Sequence, residues 1–389
     1  MNTFCSYFNQ GTCKSCDFIT QDYSDQIYHK ETKLREFLKN IKCPPLLPTV
    51  QSQKTHFRNK AKFIITGSID NPVIGIAGEE ALDEGVDLSQ CSLHVNEITM
   101  ALPTIKNFIK KANLSPYQMT SKRGELKGII LFYSELSQTS YLRFIVRSKE
   151  PIDRIRKFHK DLLNEISHLK CISINIQPIS HAILEGEEEI FITEETSISH
   201  KLGNVEFELN PRAFVQTNQK IAEKLYSTVA EWIKESSQSR MVELYCGQGA
   251  FSFFSAPFIK ESLGIEINPE AVRVANQTAS KYHFSHLKFV AKDASLVGRE
   301  LLSFNPNIVL VNPPRRGLGE AVKLLKDQKV EKIFYSSCNA ESLAKDLEYL
   351  KDQYELTRIQ IFDMFPNSHH FETLIELNLR SIKADRTSS

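Results

Sequence analysis

No run of apolar residues in this 389-residue chain approaches the length a helix needs to cross a bilayer, so no membrane-spanning helix is expected. The opening residues Met1-Asn2-Thr3-Phe4-Cys5 have neither the basic start nor the apolar stretch of a signal peptide. Neither sign of charge dominates, with 48 Lys and Arg against 47 Asp and Glu. Bulk charge therefore advertises no polyanionic partner, and a nucleic-acid site has to come from local clustering. The composition, 41% hydrophobic, is that of an ordinary globular protein long enough for two or three domains. A cytoplasmic location is expected. In that setting eight cysteines point to metal binding or catalysis before structural disulfides.

Three of those cysteines, Cys5, Cys13 and Cys16, crowd into a polar segment too short to build a core. Thiols spaced this way commonly share a metal, and Cys91 is the best candidate for a fourth ligand, with Cys43 beside Pro44-Pro45 as the alternative. Zinc and an iron–sulfur cluster both accept four thiolates, and spacing does not separate them. Gln21 to Lys42 has helical periodicity ended by prolines, and a shorter helix is expected over Pro103 to Lys111. Between and after these, apolar runs near residues 61–67, 73–78, 128–133, 141–147 and 172–176 read as strands, with a helix around 152–169. This half is therefore expected to be α+β around an antiparallel sheet. Phe57, Arg58, Lys60 and Lys62 put cations and an aromatic ring into one strand lead-in. That pattern suits a nucleic-acid backbone, and a solvated basic strand is the plain alternative.

The carboxyl-terminal half changes character, with buried strands separated by helices in a doubly wound α/β pattern. Met241 to Tyr245 leads into Cys246-Gly247-Gln248-Gly249 and a helix, and the next strand ends in Glu266. A glycine turn followed by an acid at that spacing matches a nucleoside site, the carboxylate serving the ribose hydroxyls. Two glycines without a third leave no pyrophosphate cradle, which favours S-adenosylmethionine over a dinucleotide. Asp293, past the third strand, is a candidate partner for adenine. The fourth strand ends in Asn312-Pro313-Pro314-Arg315-Arg316-Gly317, and the fifth, Ile333 to Ser337, ends at Cys338-Asn339. Ligands bind at the carboxyl ends of strands in such sheets, so the Cys338 thiol is placed for chemistry, although a free cysteine is more often inert core.

Ser337-Cys338-Asn339, Asn312-Pro313-Pro314-Arg315-x-Gly317, Phe214-x-Gln216-x-Asn218 and His370-x-Glu372 occur together and in a pattern that resembles the RNA uracil-C5 methyltransferase family. The resemblance runs nearly end to end. It implies a Rossmann-like class I methyltransferase domain over 204–389 and an iron–sulfur, RNA-binding α+β domain over 1–203, with helix 21–42 free to pack on the catalytic domain. It further implies Cys338 as nucleophile, Glu372 as base with His369 and His370 as rivals, and Gln216, Tyr245, Glu266, Asn312 and Asp293 around the cofactor or base. Cys5, Cys13, Cys16 and Cys91 are similar to that family's ligands for a [4Fe-4S] cluster. A start at the cluster and Asn312 where relatives carry Asp resemble the branch acting on uracil 747 of 23S ribosomal RNA, with no obligate protein partner. Cluster-bearing transfer-RNA enzymes are the main competitor. A methyltransferase for exocyclic amines is disfavoured by Arg315, where those enzymes place an aromatic residue. A non-catalytic iron–sulfur RNA-binding protein is disfavoured by the intact Cys338 and Glu372.

Overall fold

The computed structural model describes residues 3–78, 83–179, 184–236 and 239–380. Two compact units form: Met1–Cys16 with Gln53–Gln219, and Asp17–Ser52 with Lys220–Ser389.

The first unit is built on a seven-stranded sheet in the spatial order Gly85–Asp87, Pro72–Ala77, Lys60–Gly67, Leu126–Ser134, Thr139–Val146, Leu169–Ile176, Glu188–Phe191. Every pairing is antiparallel except that of Thr139–Val146 with Leu169–Ile176, which the helix Ile152–Glu165 connects. Alternation along Lys60–Gly67 sends Ala61, Phe63 and Ile65 into a core shared with the two helices Asn96–Lys111 and Ile152–Glu165. The first of these helices begins seven residues before the expected start and runs through Pro103. A proline inside a helix forfeits a backbone hydrogen bond. Here Ile98, Leu102, Ile105 and Ile109 are buried at helical spacing on both sides of it, and that burial outweighs the loss. A two-stranded hairpin, Ile198–Leu202 with Val205–Leu209, completes the unit.

The second unit carries an eight-stranded sheet in the order Leu47–Val50, Tyr354–Phe362, Glu372–Leu379, Lys332–Ser337, Ile308–Val311, Ser239–Leu244, Ile259–Glu266, Leu287–Ala291. Strand Ser239–Leu244 lies sixth in that order with parallel neighbours on each side, Ile259–Glu266 and Ile308–Val311. The order reverses there, which makes the carboxyl ends of these strands the topological switch point where ligands bind in such sheets. Glu372–Leu379 alone runs against both of its neighbours, so its first residue lies beside the carboxyl end of Lys332–Ser337. No strand was expected at Leu47–Val50, where the prolines were read only as ending the helix; it sits at the sheet edge, where the missing N–H of Pro48 is tolerated.

Helix Tyr23–Phe37 belongs to this unit, with Leu34 and Leu38 in the core beside Val309, Ile333 and Leu343. Its polar side grips the loop that enters the antiparallel strand. Lys30 Nζ donates to Asp363 Oδ1 at 2.6 Å and to the Phe365 carbonyl at 3.1 Å, and Tyr23 donates to Asp363 Oδ2 at 2.7 Å. Neither Lys30 nor Asp363 reaches solvent. Burial pushes the Lys30 ammonium down while Asp363 beside it works the other way. Gln26 accepts from the Asn367 N–H at 2.9 Å, where the backbone is left-handed (φ 66°). Removing one partner of such a pair strands the other charge in the core. Lys30→Met should therefore destabilise the protein by about 3–5 kcal/mol, read as a lower urea midpoint; an unchanged midpoint would show that the pair does not hold the loop.

Candidate active site

Tyr245, Gly247 and Gly249 all have positive φ, at 60°, 55° and 82°. The chain thus turns sharply off strand Ser239–Leu244 into the helix Ala250–Ser255. A side chain at Gly249 would strike the Phe289 ring at 2.5 Å, whereas a Cβ on Gly247 would meet nothing within 4 Å. Gly249 is therefore small for packing, and Gly247 leaves its approach open for a ligand. Tyr245 holds a conformation costly for a non-glycine residue, and its hydroxyl donates to the Leu318 carbonyl at 3.2 Å.

Glu266 closes the turn from the neighbouring strand. Its Oε2 accepts from Gly247 N–H at 3.0 Å and its Oε1 from Asn268 N–H at 2.9 Å. Each oxygen keeps a free lone pair, which is what two vicinal hydroxyls require. Beneath the turn lies Glu243, which the sequence reading passed over. Burial pushes its carboxyl up to about 8, and it accepts from Ser252 N–H at 3.0 Å, tying the helix start to the strand. Cys246 is buried, with its thiol pushed far up by desolvation, and is no nucleophile. Asp293 is exposed and caps the turn Ala294–Leu296, accepting from Ser295 N–H at 2.8 Å. It is near enough to Tyr245 to oppose that phenol's ionisation.

The loop after strand Ile308–Val311 is stapled from two sides. Asp346 accepts from Leu318 N–H at 2.9 Å and from the Tyr335 hydroxyl at 2.7 Å, and a Cβ on Gly317 would press on the same carboxylate. Asn312 heads this loop half-buried, and among the described residues its side chain has no hydrogen-bond partner. Asn339 caps the helix Ala340–Leu350 and donates from Nδ2 to the Arg315 carbonyl at 3.0 Å. These bonds carry Arg315 to the end of the Cys338 strand.

Cys338 is half-buried there. Desolvation raises its thiol pKa first and the Glu372 carboxyl second, while the Arg315 guanidinium pulls it the other way. Glu372 is 1% exposed, and Ser336 donates to its Oε1 at 3.1 Å. Burial raises this carboxyl to about 7, against the pull of Ser336. The two histidines named as rivals have partners of their own: His369 Nδ1 lies 2.5 Å from Asp17 Oδ2, and His370 Nδ1 lies 3.1 Å from Arg315 Nη2. A half-buried thiol, a carboxyl poised near neutrality and a guanidinium thus share one strand end. They can add sulfur to an electrophilic carbon and move a proton.

Other expected site residues lie in the first unit. Gln216 is half-buried on a segment held by Asn59 N–H donating to the Thr217 carbonyl at 3.0 Å. Phe57 is a correction: it is 5% exposed, packed inward, and is not free to stack on a base. Lys60 and Lys62 share the opposite strand face as alternation required, but both have protein partners. Lys60 donates to the Ala213 carbonyl at 3.3 Å and lies over the Tyr141 ring, and burial brings its pKa to about 8. Lys62 pairs with Glu185 at 2.5 Å. Arg58 is half-buried, and its charge works against the rise of the Cys16 and Cys91 thiols that burial causes.

Cys5, Cys13, Cys16 and Cys91 are unpaired thiols in one electrostatic neighbourhood, each of the other three opposing the ionisation of Cys16. Burial pushes Cys16 up to about 12. Tyr7 anchors the segment by accepting from Gln90 N–H at 2.9 Å. Among the described residues, however, no three of His, Cys, Asp and Glu stand where they could hold a metal ion, so the thiols as placed do not fit a cluster. Nor, among those residues, is any helix long and apolar enough to cross a membrane.

The fold is similar to that of the Pyrococcus abyssi tRNA (uracil-54, C5)-methyltransferase solved with S-adenosyl-L-homocysteine, at a TM-score of 0.77 and 24% identity over 93% of this chain and 85% of that one. A protein of Proteus mirabilis (strain HI4320), named 23S rRNA (uracil(747)-C(5))-methyltransferase RlmC, is 40% identical over 97% of this chain and 99% of its own length. One of the same name from Actinobacillus pleuropneumoniae serotype 3 (strain JL03) is 36% identical over 97% and 99%. The family described as tRNA (Uracil-5-)-methyltransferase matches residues 22–380, and the chain belongs to that family.

Proposed function

We propose that this protein methylates carbon 5 of one uracil in 23S ribosomal RNA, the base at position 747, with S-adenosylmethionine as donor. The observation that carries the chemistry is Cys338, Glu372 and Arg315 meeting at one strand end of the sheet that also carries the glycine turn. The choice of ribosomal RNA rests on relatives of that name matching over nearly their whole length.

Carbon 5 of uracil is a weak nucleophile, and its hydrogen is not acidic. The Cys338 thiolate adds to carbon 6, and the π electrons of the 5,6 double bond move onto carbon 5 as an enolate. When bound, S-adenosylmethionine supplies an electrophilic methyl on a sulfonium sulfur. Carbon 5 takes that methyl as the carbon–sulfur bond breaks. Glu372 removes the carbon-5 proton, the double bond re-forms, and the carbon–sulfur bond to Cys338 breaks to return the thiolate. The Glu266 carboxylate is suited to ribose hydroxyls and Gly247 to a close backbone approach, with Tyr245, Asn312 and Asp293 as further cofactor or base contacts. Gln216 is assigned to the same ligands as part of the family motif. The functional division is placed at residue 203, with RNA contact assigned to Arg58, Lys60 and Lys62. The four cysteines are proposed as [4Fe-4S] ligands on donor chemistry alone; no step runs through them, and their sulfurs must move to ligate. Anaerobically purified protein should then contain iron and acid-labile sulfide in equal amounts, and protein with neither would remove the cluster from the account.

The activity test offers unmodified 23S ribosomal RNA and transfer RNA with methyl-labelled cofactor and maps the product. Label is expected as 5-methyluridine at one ribosomal site and none with Cys338→Ala; label confined to transfer RNA would overturn the substrate, and an active Cys338→Ala the mechanism. Glu372 gives a test independent of RNA. Its folded pKa of about 7 lies above its usual 4.5, so between these values the folded chain holds a proton the unfolded chain has released. Its contribution is therefore lost as pH rises through about 7. Glu372→Gln should stabilise the protein above pH 7 by a figure on the order of 3 kcal/mol and leave it unchanged below about pH 4.5. An equal stability difference at all pH values would mean that the carboxyl is not held neutral.

A further inference from the structure

His370 and Arg315 sit beside Cys338, and the chemistry above gives His370 no part. Arg315 Nη2 donates to His370 Nδ1 across 3.1 Å. A ring nitrogen that accepts a hydrogen bond carries no proton, so this ring is neutral with its hydrogen on Nε2. The same guanidinium stands close enough to the Cys338 thiol to favour its ionisation. Asn339 fixes the Arg315 backbone by its carbonyl, but the Arg315 side chain is exposed and long. Such a side chain is otherwise free among its rotamers. Among the described residues, His370 is the one side chain seen to accept from it.

We propose that His370 is a positioning residue for the nucleophile: by accepting from Arg315 it holds the guanidinium against Cys338, where positive charge favours the thiolate. The inference rests on the reading of Cys338 as nucleophile. His370 is itself held from several sides. The His369 ring lies 4.0 Å from its own and the Phe365 ring stands edge-on at 6.3 Å. The charged and titratable groups facing it are His369, Arg315, Asp17 and Lys33. Desolvation, His369, Arg315 and Lys33 all oppose its protonation, and Asp17 alone favours it. Protonation would remove the accepting lone pair and set two cations face to face. The neighbourhood thus keeps the acceptor available at neutral pH. His369, bound to Asp17, serves the same loop from the other side, its N–H also donating to Asp17 Oδ1 at 3.2 Å.

The test is the rate at which iodoacetamide alkylates Cys338, followed peptide by peptide so that the other thiols do not interfere. It needs neither RNA nor cofactor, so its outcome is separate from that of the methylation assay. His370→Ala should shift the pH profile of alkylation up by about one unit, a roughly tenfold slower rate at neutral pH. His370→Asn keeps an acceptor oxygen near the Nδ1 position and should stay within about twofold of the parent, which a merely structural loss would not allow. Arg315→Gln should match His370→Ala, and the double variant should be no slower than either single one, because both break one contact. A parent-like profile for His370→Ala, an equally slow His370→Asn, or additive effects in the double variant would each overturn the proposal. Should His370→Ala fail to fold, the comparison of Arg315→Gln with Arg315→Gln/His370→Asn decides: a further loss in the latter overturns it.

Discussion

A carboxyl group held out of water beside a thiol is the constraint on which the second unit depends. Among the described residues Glu372 has the Ser336 hydroxyl to set against its desolvation, and it stands close enough to Cys338 to resist the thiol's ionisation. In water neither group would be useful at neutral pH, the carboxyl being too weak a base and the thiol mostly protonated. Burial raises the carboxyl into the range where it can take and release a proton. The same burial works against the thiol, and Arg315 is the counterweight. A single dry corner thus tunes an acid upward and needs a cation to keep the nucleophile from following it.

Holding that corner takes long-range bonds. The antiparallel strand that begins with Glu372 places it opposite Phe362 and next to the pairing of Ser337 with Thr373, so strand register sets the approach to Cys338. The loop before it has no regular structure of its own and is clamped by helix Tyr23–Phe37, through Lys30 on Asp363 and Gln26 on Asn367. The loop after strand Ile308–Val311 is fixed by Asp346 and Asn339. A buried ion pair adds little net stability compared with apolar packing. Its use here is to define one position for a loop whose next residues do chemistry.

Much of this unit could be read from the residues. Lys332–Ser337 stands within a residue of where its apolar run put it, and the glycine turn, Glu266 and Cys338 all stand at strand ends around the switch point, because local alternation and turn chemistry determine such elements. What could not be read depends on partners far away in the chain. The clamp joins residues more than three hundred positions apart, and no periodicity announces it. Glu372 looks like any carboxylate at a strand start until the fold dries it. Arg315 was weighed as part of the family motif and as the residue that is not aromatic, and was given no role of its own, since that role exists in its position beside Cys338 and His370. Phe57 shows the opposite failure: an aromatic beside cations suggested a base-stacking surface, yet alternation turned it into the core. The four cysteines were legible as a group, and their present spacing in the fold falls short of a metal site.

The central claim is a covalent bond from Cys338 to carbon 6 of the target uracil. Ribosomal RNA carrying 5-fluorouridine at the target site tests it directly, because fluorine replaces the hydrogen that Glu372 must remove and the adduct cannot be released. With S-adenosylmethionine present, the account predicts a denaturation-resistant protein–RNA complex whose digest carries the methylated nucleotide on the Cys338 peptide. An adduct on another residue, or unmodified Cys338 from protein that methylates the ordinary RNA at full rate, would contradict it.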